Sequence, residues 1–141
     1  MTAIAYANLT IDGQSLLLPQ TDVHHIALAG NICPQEGGLG FVEHAGLEWS
    51  VHALDRELMP IGSLPESRRL VACITTGEQS LALACDMLTT VRFESESIID
   101  DLPKMMRLFS SPIQSLLYAD GALHFVSGAG PLIAYLLSKE A

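Results

Sequence analysis

Imidazole is the side chain whose ordinary pKa lies nearest neutrality, so the five histidines are the first residues to test for chemistry. His24, His25, His44 and His52 share the first half of the chain with Cys33, and adjacent histidines invite a metal. Successive residues of an extended segment point to opposite faces, so His24 and His25 could share one ion only on a helical segment. No HExxH or comparable ligand spacing is present. A structural or surface role is the expectation, and metal binding is not.

The other candidates are weaker still. Gly37-Gly38-Leu39-Gly40 has the glycine content of a phosphate loop, but no lysine follows and no helix is expected to start there. A Gly-x-Ser-x-Gly nucleophile elbow is absent. Glu94, Glu96, Asp100 and Asp101 form an acidic run that reads as solvated loop, since paired acid–base carboxylates need a cleft. Asp86 is different, because it interrupts an apolar run, Leu81–Cys85, with Leu88 and Val91 after it. A carboxylate accepting backbone N–H groups at a turn explains it, which makes it a structural residue. Cys33, Cys73 and Cys85 have no CxxC spacing and cannot all pair within the chain; Cys73 and Cys85 lie in apolar strand-like runs. A reducing cytoplasm is the expected location.

Strands must position these residues. Asp12-Gly13, Thr76-Gly77-Glu78 and Asp120-Gly121 each separate two strand-length apolar pieces, the pattern of β-hairpins. Leu47, Trp49, Val51 and Ala53 alternate with Glu48, Ser50 and His52, the period of a half-buried strand, and Asp55–Leu58 reads as a short helical turn. Met59–Glu66, with Pro60, Gly62 and Pro65, is the most linker-like stretch, so a boundary between two halves is expected there. Ser97–Leu108, with Pro103, reads as an irregular loop or broken helix. Pro131 at a first helical position opens a short C-terminal helix. Similar hairpins in one small chain suggest barrels or a sandwich.

The 141 residues and 15.1 kDa suffice for a core without metal or disulfides, since about two thirds of the extended chain's surface can be buried at this size. Charged residues are 16%, mean hydropathy is +0.34 and net charge is −9, which argues against duplex nucleic acid and anionic membrane as partners. Low charge with high apolar content hints at surface meant for partners. The apolar runs fall far short of the ~20 residues of a membrane helix, and the N-terminus lacks the pattern of a secretory signal.

Val23-His24-His25-Ile26 after a hairpin, then Gly40, Gly46 and the strand Leu47–Leu54, then Leu83 to Val91, with Asp86 ahead of apolar residues two and five positions later, form an order and spacing that resembles the CheW-like family of bacterial chemotaxis coupling proteins. The similarity runs from about Asn8 to Leu137. It implies an all-β fold in a single domain over 1–141: two small five-stranded SH3-like barrels on a shared core with a short C-terminal helix. The sub-barrels are placed at about 1–62 and 63–141, with a crossing of the chain ends left open. It also implies no catalytic activity and no cofactor. The function implied is a scaffold that couples the cytoplasmic tip of a methyl-accepting chemoreceptor to the regulatory domain of a CheA-type histidine kinase, in chemotaxis or pilus motility.

The family's receptor groove matches Val23, His25, Ile26, Gly40, Phe41, Val42 and Gly46 here, with Ala45 where the family has arginine. Where the family reads Asn-Leu-Arg-Gly, this chain reads Glu43-His44-Ala45-Gly46, and His25 replaces an acidic residue. One helical turn would put Val23 and Ile26 on a common face, and glycine at 40 and 46 would leave room for an incoming helix. The alternative is a small ligand- or metal-binding barrel using His24, His25 and His44.

Overall fold

Two segments are apolar at nearly every position rather than at alternate ones, and their place in the fold explains why. In the computed structural model, which describes residues 3–94, 98–99, 112–119 and 121–139, they are β7 (Leu70–Thr75) and β8 (Ser80–Cys85). Both are covered on two faces. Ala72, Ile74, Leu81, Leu83 and Cys85 enter a large shared core, while Val71, Cys73 and Ala82 enter a second cluster on the opposite face. A strand buried on both sides has no solvent face to mark with polar residues.

These strands sit inside one of two sheets. Sheet II contains β3 (Val23–Leu28), β4 (Cys33–Gln35), β5 (Gly38–His44), β6 (Leu47–His52), β7 and β8, in the order β3-β7-β8-β6-β5-β4. Sheet I contains β1 (Ala3–Ile11), β2 (Gln14–Pro19), β9 (Met87–Glu94), β10 (Ile98–Ile99), β11 (Ser115–Ala119) and β12 (Ala122–Val126), in the order β10-β11-β12-β2-β1-β9. The strands β4 and β10 are stubs of three and two residues. Each sheet is therefore five full strands, curled, and the all-β architecture implied by the sequence is present. The shared core lies between the sheets. One further cluster backs each of them, around Trp49 in sheet II and around Tyr6 and Leu117 in sheet I.

The sheets do not divide the chain at 62/63. The chain builds β1 and β2 of sheet I, makes all of sheet II, and returns at β9. The proline- and glycine-bearing stretch expected to join two halves instead folds back within sheet II. The Asp55 N–H donates to the Met59 carbonyl at 2.9 Å and the Ile61 N–H to the Ala53 carbonyl at 3.0 Å. Asp55–Leu58 is correspondingly a turn rather than a helix: the Asp55 Oδ1 accepts the N–H groups of Glu57 and Met59, and Leu58 takes a positive φ of 64°.

The helix α1 (Ala129–Ser138) starts two residues before Pro131, because an outside carboxylate supplies its cap. Asp22 Oδ2, in the connection between β2 and β3, accepts the Ala129 N–H at 2.9 Å, where a negative charge also favours the helix dipole. Leu132, Ile133, Tyr135 and Leu136 then enter the shared core, and the Tyr135 hydroxyl donates to the Leu58 carbonyl at 2.6 Å. Among the described residues no helix is long and apolar enough to cross a membrane. Within the loop expected at 97–108, Ile98–Ile99 form β10; the rest of that stretch, with Asp100 and Asp101, lies outside the described residues, as do Glu96 and Asp120 of the third hairpin.

The hairpin turns Asp12-Gly13 and Ala45-Gly46 have positive φ at both central residues: 50° and 83°, then 53° and 77°. Tight hairpins need this mirror-image turn, for which Asn-Gly is strongly favoured. A left-handed conformation costs alanine about 1–2 kcal/mol, so Ala45→Asn should stabilise the protein by about 1 kcal/mol. A urea midpoint that stays put or falls would contradict this.

Candidate functional site

A groove of about 280 Å³ separates the two sheets along their facing edge strands. Val23, His24, His25 and Ile26 of β3 line one bank and Leu88 and Thr90 of β9 the other, with Ala7 and Gln20 beside them. Thus β3 is a strand, not the expected helical turn, yet Val23 and Ile26 still share a face. The cause is a bulge: Val23 opposes Ile74, His25 opposes Cys73 and Ile26 opposes Ala72, so His24 is an extra residue. Ile74 and Ala72 both face the shared core, and the residues opposite them follow. Val23 packs partly against that core, whereas Ile26 is 44% exposed and Leu28, two residues on, is 61% exposed. This leaves a row of large apolar side chains open along the edge strand.

The same bulge turns both adjacent histidines toward the β5–β6 hairpin. The His25 and His44 rings are stacked, 3.7 Å between centroids and 3° from parallel. His24 stacks on Trp49 at 5.7 Å and 15° and meets His44 edge-on at 5.6 Å. The Trp49 indole N–H donates to the His44 carbonyl at 3.2 Å. Imidazole lone pairs lie in the ring plane, so two rings stacked face to face direct them side by side rather than at one ion. Among the described residues no group of three potential ligands is placed to hold a metal. Burial pushes His44 below the ordinary imidazole value, and His25 and His24 push it the same way.

The remaining groove candidates lie elsewhere. Val42 is buried under Trp49 in the sheet II cluster. Phe41 is on the opposite face of β5, paired with Ser50. Ala45 and Gly46 form the exposed β5–β6 turn. Gly40 is buried with φ +116°, where a Cβ would strike the Cys33 carbonyl oxygen and lie 2.8 Å from Ile32 Cγ2; it permits β4 to approach β5. Residues 40–46 are thus a hairpin of sheet II, and only His44 among them reaches the histidines of β3. Leu88 and Thr90 had no signal in the sequence, because their place opposite β3 depends on pairing between distant segments.

Asp86 anchors a second constellation. Its Oδ2 accepts the Asp12 N–H at 2.8 Å, and its own N–H donates to the Thr10 carbonyl at 2.8 Å. Its Oδ1 accepts from Arg68 Nη1 at 2.6 Å; the same nitrogen reaches Asp12 Oδ1 at 2.9 Å, and Arg68 Nη2 donates to the Leu54 carbonyl at 2.7 Å. The Arg68 side chain is 0% exposed, against 41% for Asp12 and 20% for Asp86. One guanidinium therefore joins a turn of sheet I, the β8–β9 junction and the β6 exit. The Arg68 hydrogen bond holds Asp12 below the usual carboxylate range. Burial pushes Asp86 upward, but the Asp12 N–H and Arg68 prevail and hold it low as well. Nothing in the sequence distinguished Arg68 from its neighbour Arg69. The Cys73 and Cys85 thiols are poor nucleophiles, since burial pushes Cys73 up to about 11 and Cys85 to about 12.

No family profile matches the chain, and no curated protein matches it. Among solved structures it is similar to the scaffolding protein TtCheW from Thermoanaerobacter tengcongensis, with a TM-score of 0.71 over 90% of this chain and 85% of that one. Their sequences are 13% identical, so what the two share is the fold: two curled five-stranded sheets and a short C-terminal helix.

Proposed function

We propose that this chain is a non-enzymatic scaffold of a bacterial chemosensory array, coupling the cytoplasmic tip of a methyl-accepting receptor to the regulatory domain of a CheA-type histidine kinase, in chemotaxis or pilus motility. The observation that carries the reading is the groove between β3 and β9, with the exposed apolar row Ile26 and Leu28 on one edge and Leu88 on the other. An incoming amphipathic helix buries such anchors, and the apolar contact supplies the affinity. The fold neighbour is a scaffolding protein, and the site residues of the groove are binding groups rather than a nucleophile with its base. Val23, His25 and Ile26 are the contacts taken from the β3 side.

The test uses a receptor tip fragment and the kinase regulatory domain, each measured by calorimetry at pH 8. Binding to both in the micromolar range, roughly −8 kcal/mol, is expected. Ile26→Asp places an unpaired charge in the groove at a position exposed enough to keep the fold, and should weaken receptor binding about tenfold or more. Kinase binding should stay unchanged. Unaltered receptor binding by folded Ile26→Asp would remove the groove from the reading.

A further inference from the structure

The order of sheet II places β3 at one edge, with three strands between it and β5, yet rings from β3 and β5 are stacked against each other. No backbone pairing links these two strands among the described residues. The sheet therefore curls until its ends approach, and His24, His25, His44 and Trp49 fill the seam where a ladder of hydrogen bonds is missing.

We infer that this ring seam is a proton-operated latch: neutral imidazoles hold β3 against the β5–β6 hairpin, and protonation of more than one of them parts the seam and reshapes the groove beside it. His25 belongs to both, since it stacks in the seam and lines the groove. Two imidazolium rings face to face at 3.7 Å would repel strongly.

Among the described residues that line the seam and the groove there is no counter-charge. From β3 the titratable groups are His24 and His25 themselves, and from β5 it is His44. Glu43 of β5 and Glu48 of β6 oppose each other on the other face of the hairpin, and β6 presents Trp49 to the seam. From β7 the group opposite His25 is Cys73, whose thiol is neutral throughout this range. Across the groove stand Leu88, Thr90 and Gln20. Burial first, and then His25 and His24, hold His44 below the ordinary imidazole value of 6.5. Because its folded value is lowered, the closure it provides is complete above 6.5 and is lost as pH falls through that lowered value.

Trp49 is the single tryptophan of the chain and is stacked on His24, so its emission reports the seam directly. The full chain is titrated from about pH 8 to about pH 5, the span in which imidazoles change charge. The expected result is a change in Trp49 emission with its midpoint below 6.5, and over the same interval amide exchange of β3 that accelerates roughly tenfold or more. His44→Phe keeps a ring in the stack without its proton and should abolish or displace the transition.

A Trp49 signal and β3 exchange that stay flat while the histidine resonances titrate would overturn the latch, with no variant needed. So would a transition that survives unchanged in His44→Phe, since the stacked His25–His44 pair would then not be its source. The effect on partner capture rests on the scaffold reading, but the titration uses no partner. Failure of receptor binding at pH 8 overturns the groove alone, and a flat titration overturns the latch alone.

Discussion

Arg68→Met should lower stability by about 3–5 kcal/mol, the cost of breaking a buried ion pair from one side. Methionine fills much of the volume, so the loss comes from what is stranded. Asp12 and Asp86 are left as like charges bridged by no cation, and the Leu54 carbonyl loses the donor that reached it at 2.7 Å. A domain of this size has about 5–15 kcal/mol in total, so the melting temperature should fall by roughly 10 °C or more. Asp86→Asn in the same background should recover part of the loss by removing one of the opposed charges. Chemical denaturation decides, and a loss below about 1 kcal/mol would mean that the guanidinium is merely accommodated.

The same cluster sets an acid limit. Asp12 and Asp86 are held below their ordinary value of 3.8, so the unfolded chain takes up protons first as pH falls. The stability they provide is full above 3.8 and is lost as pH drops through their lower folded values. In Arg68→Met this acid-side loss should shrink.

Gly40→Ala should cost about 3 kcal/mol, combining strain at a positive φ with overpacking against backbone. The obstacle is the Cys33 carbonyl, which cannot turn aside as a flexible side chain would. The variant also separates two roles for this glycine. If it makes room for an approaching helix, partner affinity should fall with the substitution. If it seats β4 on β5, the folded fraction should bind as before while stability drops, and the second result is expected. A stability change under 1 kcal/mol would contradict the geometry.

Local chemistry made parts of this fold legible. Asp12-Gly13 announces a hairpin because few other pairs tolerate two positive φ angles, and the continuous apolar runs of β7 and β8 announce strands covered on both faces. The assignment of strands to sheets was not legible, because β1 pairs with β9 across the chain and leaves no local trace. The prolines and glycine near residue 60 looked like a linker because the residues that close a tight return are also those that make linkers.

At the candidate site, Val23 and Ile26 were legible as a pair, but through the wrong geometry. A single inserted residue does in a strand what a helical turn would have done, and bulges have no compositional signature. The bulge also undid the objection to His24 and His25 meeting a common neighbour. Arg68 was invisible because burial of a guanidinium depends on carboxylates that arrive from elsewhere in the chain.

The route of the chain through the two sheets also dictates the order of assembly. All of sheet II is contiguous in sequence, whereas sheet I waits for β9, whose preceding Asp86 meets Asp12 from 74 positions away. During synthesis β1 and β2 emerge first and can form only a hairpin, which is marginal alone. Sheet II can close its pairings while they wait; only then does β9 arrive to pair with β1, and β12, still later, to pair with β2. Closing so long a loop is entropically costly unless an intervening folded unit shortens it. The early hairpin is thus a docking strip carried by the nascent chain, and folding is expected to run from the middle of the sequence outward to both ends.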